Sequence, residues 1–338
     1  MSSPVLTVAP VSFQWQTLDP FLFCVYHDDK YPDGNEQLGP NASLAGRHIG
    51  QDFTPKDGWR MYHGDVVPGF PKHPHRGFET ITLVRRGRID HSDSLGATAR
   101  FGDGDVQWMT AGSGIEHCEM FPLLNRDDDN PLEVFQIWLN LPASDKRVDP
   151  YFTMLWNQQI PRHTVTDSQG IGTEVVTVVG AIDGIEGPPP PPNSWASRPE
   201  SGMAIWTIRI PPGGHYTLPA GPAGTHRVAY LFKGASLKVA DRDVSPEVAI
   251  QLRPNEAIAL VNGDTEAELL LLQARPIGEP VARHGPFVMN TEEEIRQAFT
   301  DYHAGHFGRW PWPDTGPVHP RDKERFALHA DGRLETPS

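Results

Sequence analysis

The sequence predicts an all-β protein made of two β-domains, with a single C-terminal helix. Three observations carry this reading. The 338-residue chain holds 34 prolines and 32 glycines, which cut it into short segments. Those segments are rich in Val, Ile, Thr and aromatic residues, a composition that suits strands of a sandwich or barrel. Only one stretch, 291–303, reads as a convincing helix. The length fits two domains of ordinary size, each able to bury a core.

In order along the chain, residues 1–27 read as short strands: Val11 to Gln16 alternates and Phe21 to Tyr26 is nearly continuous apolar chain. Residues 28–60 are polar and rich in Gly, Asp and Pro, and read as a long loop insertion. From 61 to 140 strands end in tight turns, among them Arg86-Gly87, Ser94-Leu95-Gly96 and Gly102-Asp103-Gly104. The run Leu132 to Leu141 is a long closing strand. Strands such as Glu174–Val179, Met203–Ile210, Arg227–Phe232 and Leu269–Gln273 form the second domain. The expected division is 1–150 for the first domain, 151–305 for the second together with the helix, and 306–338 as an irregular tail. In the helix, Thr291 and Glu294 form a capping box. Ile295, Phe299 and Tyr302 fall on one face, and Gly305 is placed to stop it.

The formal net charge is −14 and no Lys/Arg block stands out, which disfavours direct binding to nucleic acid. The N-terminus lacks a charged segment followed by a long apolar run, and no stretch is long and apolar enough for a membrane span. Two distant cysteines, Cys24 and Cys118, read as free thiols of a cytoplasmic protein. The acidic run Asn125–Asn130 lacks calcium-loop spacing and reads as a surface turn. Pro188 to Pro192 reads as a stiff exposed loop.

The stretch Gly69–Met120 carries the chemistry. Side chains two apart on a strand share a face, so His73 and His75 point together, as do His117 and Glu119. Two neighbouring antiparallel strands with these pairs bring three imidazoles and a carboxylate into one place. Such a set suits a divalent transition metal with open positions. By the same alternation Glu79 shares the face of His73 and His75, while Cys118 and Arg76 point away, to packing and structural roles. The remaining histidines, His91, His215, His226 and His284, show no ligand spacing.

The central stretch resembles the cupin superfamily and, within it, the pirins. His73-Pro-His-Arg-Gly-Phe-Glu-Thr80 and Gly104-Asp-Val-Gln-Trp-Met-Thr-Ala-Gly112 are pirin-like signatures. Trp138-Leu-Asn-Leu-Pro-Ala143 and Gly285-Pro-Phe-Val-Met-Asn-Thr291 are similar to pirin sequence too. The resemblance spans about 60–305. It implies a bicupin: two cupin barrels, with iron, Fe(II), in the N-terminal one held by His73, His75, His117 and Glu119, and no metal site in the second. Other divalent transition metals fit the same donors. Glu79 then serves to hold a ligand or a strand edge. The resemblance also implies one of two functions. The first is a quercetin 2,3-dioxygenase-like oxidoreductase acting on a small aromatic substrate such as a flavonol, with Glu119 as ligand or proton acceptor. The second is an iron- and redox-dependent module that binds a protein partner. A monomer is expected, because two barrels in one chain can bury each other's faces.

Overall fold

The computed structural model describes residues 3–337. The chain is dominated by strands, and its single α-helix among the described residues is Glu292–His303. It divides into two compact units that are interleaved in sequence. One comprises residues 25–157 with 279–338, the other residues 1–24 with 158–278.

The first unit contains two sheets. One runs, in spatial order, through Gly69–His75, Ile115–Met120, Arg88–Asp93, Thr98–Gly102, Phe326–Leu328 and Leu334–Glu335. The other contains Tyr151–Leu155, Val106–Thr110, Phe78–Arg86, Asn130–Asn140 and Phe21–Tyr31, the strand within which the chain enters this unit. Alternation sends Val84, Met109 and Val134 from one sheet, and Ile89, Ala99 and Phe101 from the other, into a common buried core. Full burial of each such valine, isoleucine or phenylalanine contributes about 1.5–3 kcal/mol.

Two glycines shape the path into the metal-ligand stretch. Gly69, at φ +133°, lies so close to the neighbouring strand that a Cβ would stand 2.5 Å from the Glu119 carbonyl oxygen. Gly77, at φ +82°, turns the chain from one sheet to the other, and a Cβ there would meet the Val288 carbonyl oxygen at 2.0 Å.

The 28–60 segment is partly strand, since Phe21–Tyr31 runs through its start. Beyond Tyr31 it is a loop fastened by its own side chains. The Arg47 guanidinium lies 3.2 Å from the centre of the Trp59 ring and donates to Asp52 at 3.1 Å and to the Lys56 carbonyl at 2.7 Å. Trp59 near its end, and Met61 and Tyr62 just beyond it, are buried in the barrel core.

The helix keeps the expected cap. Thr291 Oγ1 accepts from the Glu294 amide at 3.2 Å, and the Glu294 carboxylate accepts from the Thr291 amide at 3.0 Å. Ile295 and Ala298 are its buried positions, with Phe299 and Tyr302 packed partly against Phe287, Met289 and Phe307. Asp301 on its outer turn accepts from Arg76 at 2.7 Å, which ties the helix to the chain beside His75.

The tail is less irregular than expected. Phe326–Leu328 pairs with Thr98–Arg100 and extends the sheet. Buried Arg100 explains its order: it grips Asp90 with two bonds of 2.7 Å and donates to the carbonyls of His319, Pro320 and Lys323.

The second unit has a seven-stranded sheet facing a four-stranded one. The larger contains Val5–Pro10, Val248–Leu252, His226–Lys233, Ala267–Ala274, Ala204–Ile210, Gly172–Val179 and Arg162–Thr166, in that order. Trp206, Ile208, Leu231, Leu269 and Leu271 from this sheet pack with Leu218, Leu237 and Leu260 from the other. The compact units thus differ from the expected ranges at both chain ends. Val5–Pro10 pairs with Val248–Leu252 and so joins the second barrel, whereas the helix and tail pack on the first.

Candidate metal centre

Strands Gly69–His75 and Ile115–Met120 are antiparallel partners, with His73 directly opposite His117. An irregularity between Phe70 and His73 sets this register. The structure brings His73, His75 and His117 together: one ring nitrogen of each lies within 4.8 Å of the other two. The ring centres are 4.4 Å apart for His73 and His117, 4.8 Å for His73 and His75, and 4.9 Å for His75 and His117. His75 and His117 are buried, and His73 is the half-buried member.

Hydrogen bonds fix which nitrogen each ring turns inward. His73 Nδ1 donates to the Pro71 carbonyl at 2.9 Å, leaving Nε2 as its lone pair. His75 donates to the Pro286 carbonyl, and its buried Nδ1 has no partner. His117 Nε2 is likewise buried and unpartnered. Its Nδ1 lies 3.5 Å from His91 Nδ1, and His91 Nε2 lies 3.2 Å from Asp93 Oδ2. Buried polar atoms are normally satisfied, and two orphaned imidazole nitrogens facing a third fit a metal ion. Burial lowers all three pKa values, His73 to about 4 and the other two well below the usual histidine value, and the neighbouring imidazoles add to the effect. The rings are therefore neutral at pH 7, the form that binds metal.

Glu119 is on the same strand face as His117 but stands outside the triad. Its carboxylate accepts from Thr82 Oγ1 at 2.9 Å and from Gln136 Nε2 at 2.9 Å. Burial raises its pKa, while the Thr82 bond, His91 and the Gln136 bond oppose the rise.

Glu79 is not on the face expected of it. The turn at Gly77 moves the chain to the other sheet before Phe78, so alternation from His75 does not carry over. Thr82 on the same strand reaches Glu119, hence Glu79, an odd number of positions away, points to the opposite side, where it accepts from Thr110 at 2.8 Å. Cys118 does point away from the triad and packs with Leu38, Val67 and Met120. Arg76 donates to the Ser113 carbonyl and to Asp301 and lies over the Phe307 ring.

Sequence reasoning missed four neighbours of the centre. His91 and Asp93 stand directly across from Glu119 and His117 on the next strand. Gln136 and Trp138 lie two residues apart on Asn130–Asn140, half-buried, with the Trp138 ring 5.2 Å from His75. His73, Gln136 and Trp138 thus form the partly exposed edge of the centre. Phe70 flanks His73 at 6.4 Å, and Phe53 of the long loop and His63 just beyond it pack on Phe70. The signal for His91 was its i, i+2 spacing to Asp93. A cavity of about 360 Å³, bordered by Tyr31, Arg86, Arg88, Leu123 and Pro131, lies away from these residues.

Two β-barrel units, one with three converging imidazoles, define a bicupin carrying a candidate metal centre. Residues 6–139 match the pirin family model and residues 205–308 the pirin C-terminal cupin domain model. The chain belongs to the pirin family. A Pseudomonas aeruginosa protein named "Putative quercetin 2,3-dioxygenase PA2418" is 38% identical over 242 residues, 71% of this chain and 80% of that one. Human pirin is 34% identical over 252 residues, 71% of this chain and 78% of its own length. Among solved structures, a quercetin 2,3-dioxygenase from Acinetobacter baumannii superposes with a TM-score of 0.68 at 25% identity, covering 90% of this chain and 98% of that one.

Proposed function

We propose that the protein is an iron-dependent dioxygenase of quercetin 2,3-dioxygenase type. The observation that carries this reading is the pair of orphaned buried nitrogens, His75 Nδ1 and His117 Nε2, facing His73. Relatives named for this activity point the same way. His73, His75 and His117 would hold Fe(II), and Glu119, now bonded to Thr82 and Gln136, would be the candidate for a fourth protein ligand. A bound divalent ion supplies Lewis-acid chemistry that lowers the pKa of a substrate hydroxyl. Glu119, on the strand face of His117, would alternatively take that proton. Trp138, half-buried beside His75, packs on Phe78 at 4.1 Å with the Arg283 guanidinium 5.2 Å over its ring, and its outer edge would border an aromatic substrate. The two free, buried cysteines suit a reducing compartment such as the cytoplasm.

A second reading is an iron-dependent protein-binding module. The burial of His75, His117 and Glu119 favours it, since His73, Gln136 and Trp138 are no more than half-exposed. Anaerobic loading with Fe(II), followed by quercetin and air, separates the two. Loss of flavonol absorbance with release of carbon monoxide, abolished in His73→Ala, is the result expected of the enzyme. Stoichiometric iron without turnover overturns the quercetinase reading in favour of the module.

A further inference from the structure

The inward face of the second barrel carries hydrogen-bond donors that none of the described residues satisfies. Arg227, on strand His226–Lys233, is 0% exposed. Its Nη1 donates to the Pro254 carbonyl at 3.3 Å, but Nε and Nη2 have no partner. These two N–H groups share one edge of the guanidinium, the fork that grips both oxygens of a carboxylate. Trp206 Nε1 and the Tyr216 hydroxyl, on residues each 3% exposed, also lack partners, as does the hydroxyl of fully buried Thr177.

Strand register collects these groups. Arg227 lies directly across from Gln273, and Gln273 from Ala204. Trp206, two residues along from Ala204, lies across from Leu271 on one side and Thr177 on the other. Residues directly opposite in an antiparallel pair share a face, as do residues two apart on one strand. Ala204, Trp206, Ala229 and Leu271 belong to the barrel core, so this face is the inner one. Tyr216 comes from the facing sheet, belongs to the same core, and acts electrostatically on Arg227. The unpartnered acceptor in this row, Gln273 Oε1, is turned against Gly221, where a Cβ would stand 2.3 Å from it. Asp183, the acidic group acting on Tyr216, is exposed.

A buried guanidinium without a counter-charge is unfavourable. Burial pushes Arg227 down to about 10, which still leaves it charged at neutral pH. Arg227 makes no ion pair among the described residues. An oxyanion supplies what the site lacks: two in-plane acceptors for the Arg227 edge and further lone pairs for indole and phenol donors. Spherical chloride matches the fork poorly, and the small neighbours Ala204 and Ala229 suit a compact ligand.

We propose that the second barrel binds a small carboxylate, held by the Nε/Nη2 edge of Arg227 with Trp206 and Tyr216 donating to the same anion. This site is independent of the metal centre and of the reaction proposed for it.

The test is calorimetric titration and thermal unfolding of the full-length protein with formate and acetate, against chloride at matched ionic strength. Saturable binding of one carboxylate per chain, a raised midpoint and weaker binding of chloride are expected. Arg227→Leu is expected to abolish this response. If that variant does not fold, Trp206→Phe and Tyr216→Phe, which each remove one donor and little volume, carry the test. Each is expected to weaken carboxylate binding about 5–10-fold, the loss typical of one hydrogen bond. Wild-type protein that binds neither carboxylate saturably, or binds chloride as tightly, overturns the proposal. So do folded variants that bind as tightly as wild type.

Discussion

His117 Nδ1 faces His91 Nδ1 across 3.5 Å, and the far side of His91 meets Asp93 at 3.2 Å. One arrangement of protons satisfies all three groups. His117 Nδ1 donates to His91, His91 Nε2 donates to the Asp93 carboxylate, and His117 keeps its lone pair on the buried, unpartnered Nε2. Asp93 is itself fixed by the amides of Leu95 and Ala97, at 2.9 and 3.0 Å. The chain of contacts orients the imidazole and selects its tautomer before any ion arrives, as outer partners of metal-ligating histidines commonly do.

Replacing His91 by phenylalanine keeps a ring in the core but removes the acceptor for His117. Metal affinity is expected to fall about 10–100-fold, the usual cost of losing such an outer partner. Competition with a chromophoric chelator measures it, and circular dichroism checks that the fold persists. An unchanged affinity rules out this orienting role for His91.

What could be read from the sequence was local. Strand alternation is short-range, so the pairing of His73 with His75, and of His117 with Glu119, was visible within a few residues. The cap at Thr291 was visible for the same reason, because its partner Glu294 lies one turn away. Relations that depend on register were hidden. His91 comes beside Glu119 only through the pairing of two strands well separated in the chain. Glu79 was assigned to the wrong face because the left-handed Gly77 moves the chain between sheets, which resets the alternation. The membership of the first strand in the second barrel rests on pairing Val5–Pro10 with Val248–Leu252, a contact with no local signature.

Gly69 tests how far the metal-ligand strands depend on close approach. Its φ of +133° is a conformation that L residues rarely adopt, and an added Cβ would press on the Glu119 carbonyl at 2.5 Å. Gly69→Ala is expected to destabilise the protein by about 1–3 kcal/mol, the usual range for such backbone strain, measured by urea unfolding. Because the displaced partner strand carries His117 and Glu119, metal affinity is expected to fall as well. A variant with wild-type stability and metal affinity contradicts the idea that this contact sets the strands.

The tail depends on Arg100. Its guanidinium is fully buried, forks onto Asp90, and holds the carbonyls of His319, Pro320 and Lys323. Breaking a buried pair strands the remaining charge, so Arg100→Met is expected to cost about 3–5 kcal/mol. Limited proteolysis should then cut within 306–338 at protease levels that spare the wild type. Arg100→Lys keeps the charge but loses the planar fork, and is expected to release the tail as well. Protection of the tail in both variants would mean that its other contacts, the Phe326–Leu328 pairing, the Arg325–Asp105 pair and the Trp312 bond to the Asp93 carbonyl, hold it without Arg100.

Asp29 makes stability depend on pH. Its buried carboxylate accepts from Tyr62 at 2.6 Å and from Arg60 at 2.9 Å, and His27 Nδ1 meets the Tyr62 hydroxyl at 2.7 Å. Burial raises its pKa from 3.8 to about 6, against the lowering effects of the Tyr62 bond and the Arg60 charge. The folded state therefore holds this proton more tightly than the unfolded chain does. The contribution is fully present below pH 3.8 and is lost as pH rises through 6. At 1.36 kcal/mol per pKa unit, the full change is about 3 kcal/mol. Asp29→Asn removes the titration while keeping the shape, and Arg60, which is partly exposed, retains access to water. The stability of the variant relative to wild type is expected to rise by up to that amount between pH 4 and pH 7, measured by urea unfolding at each pH. A difference that stays flat across this range, or slopes the other way, means that the Arg60 charge outweighs burial and Asp29 is already ionised at pH 4.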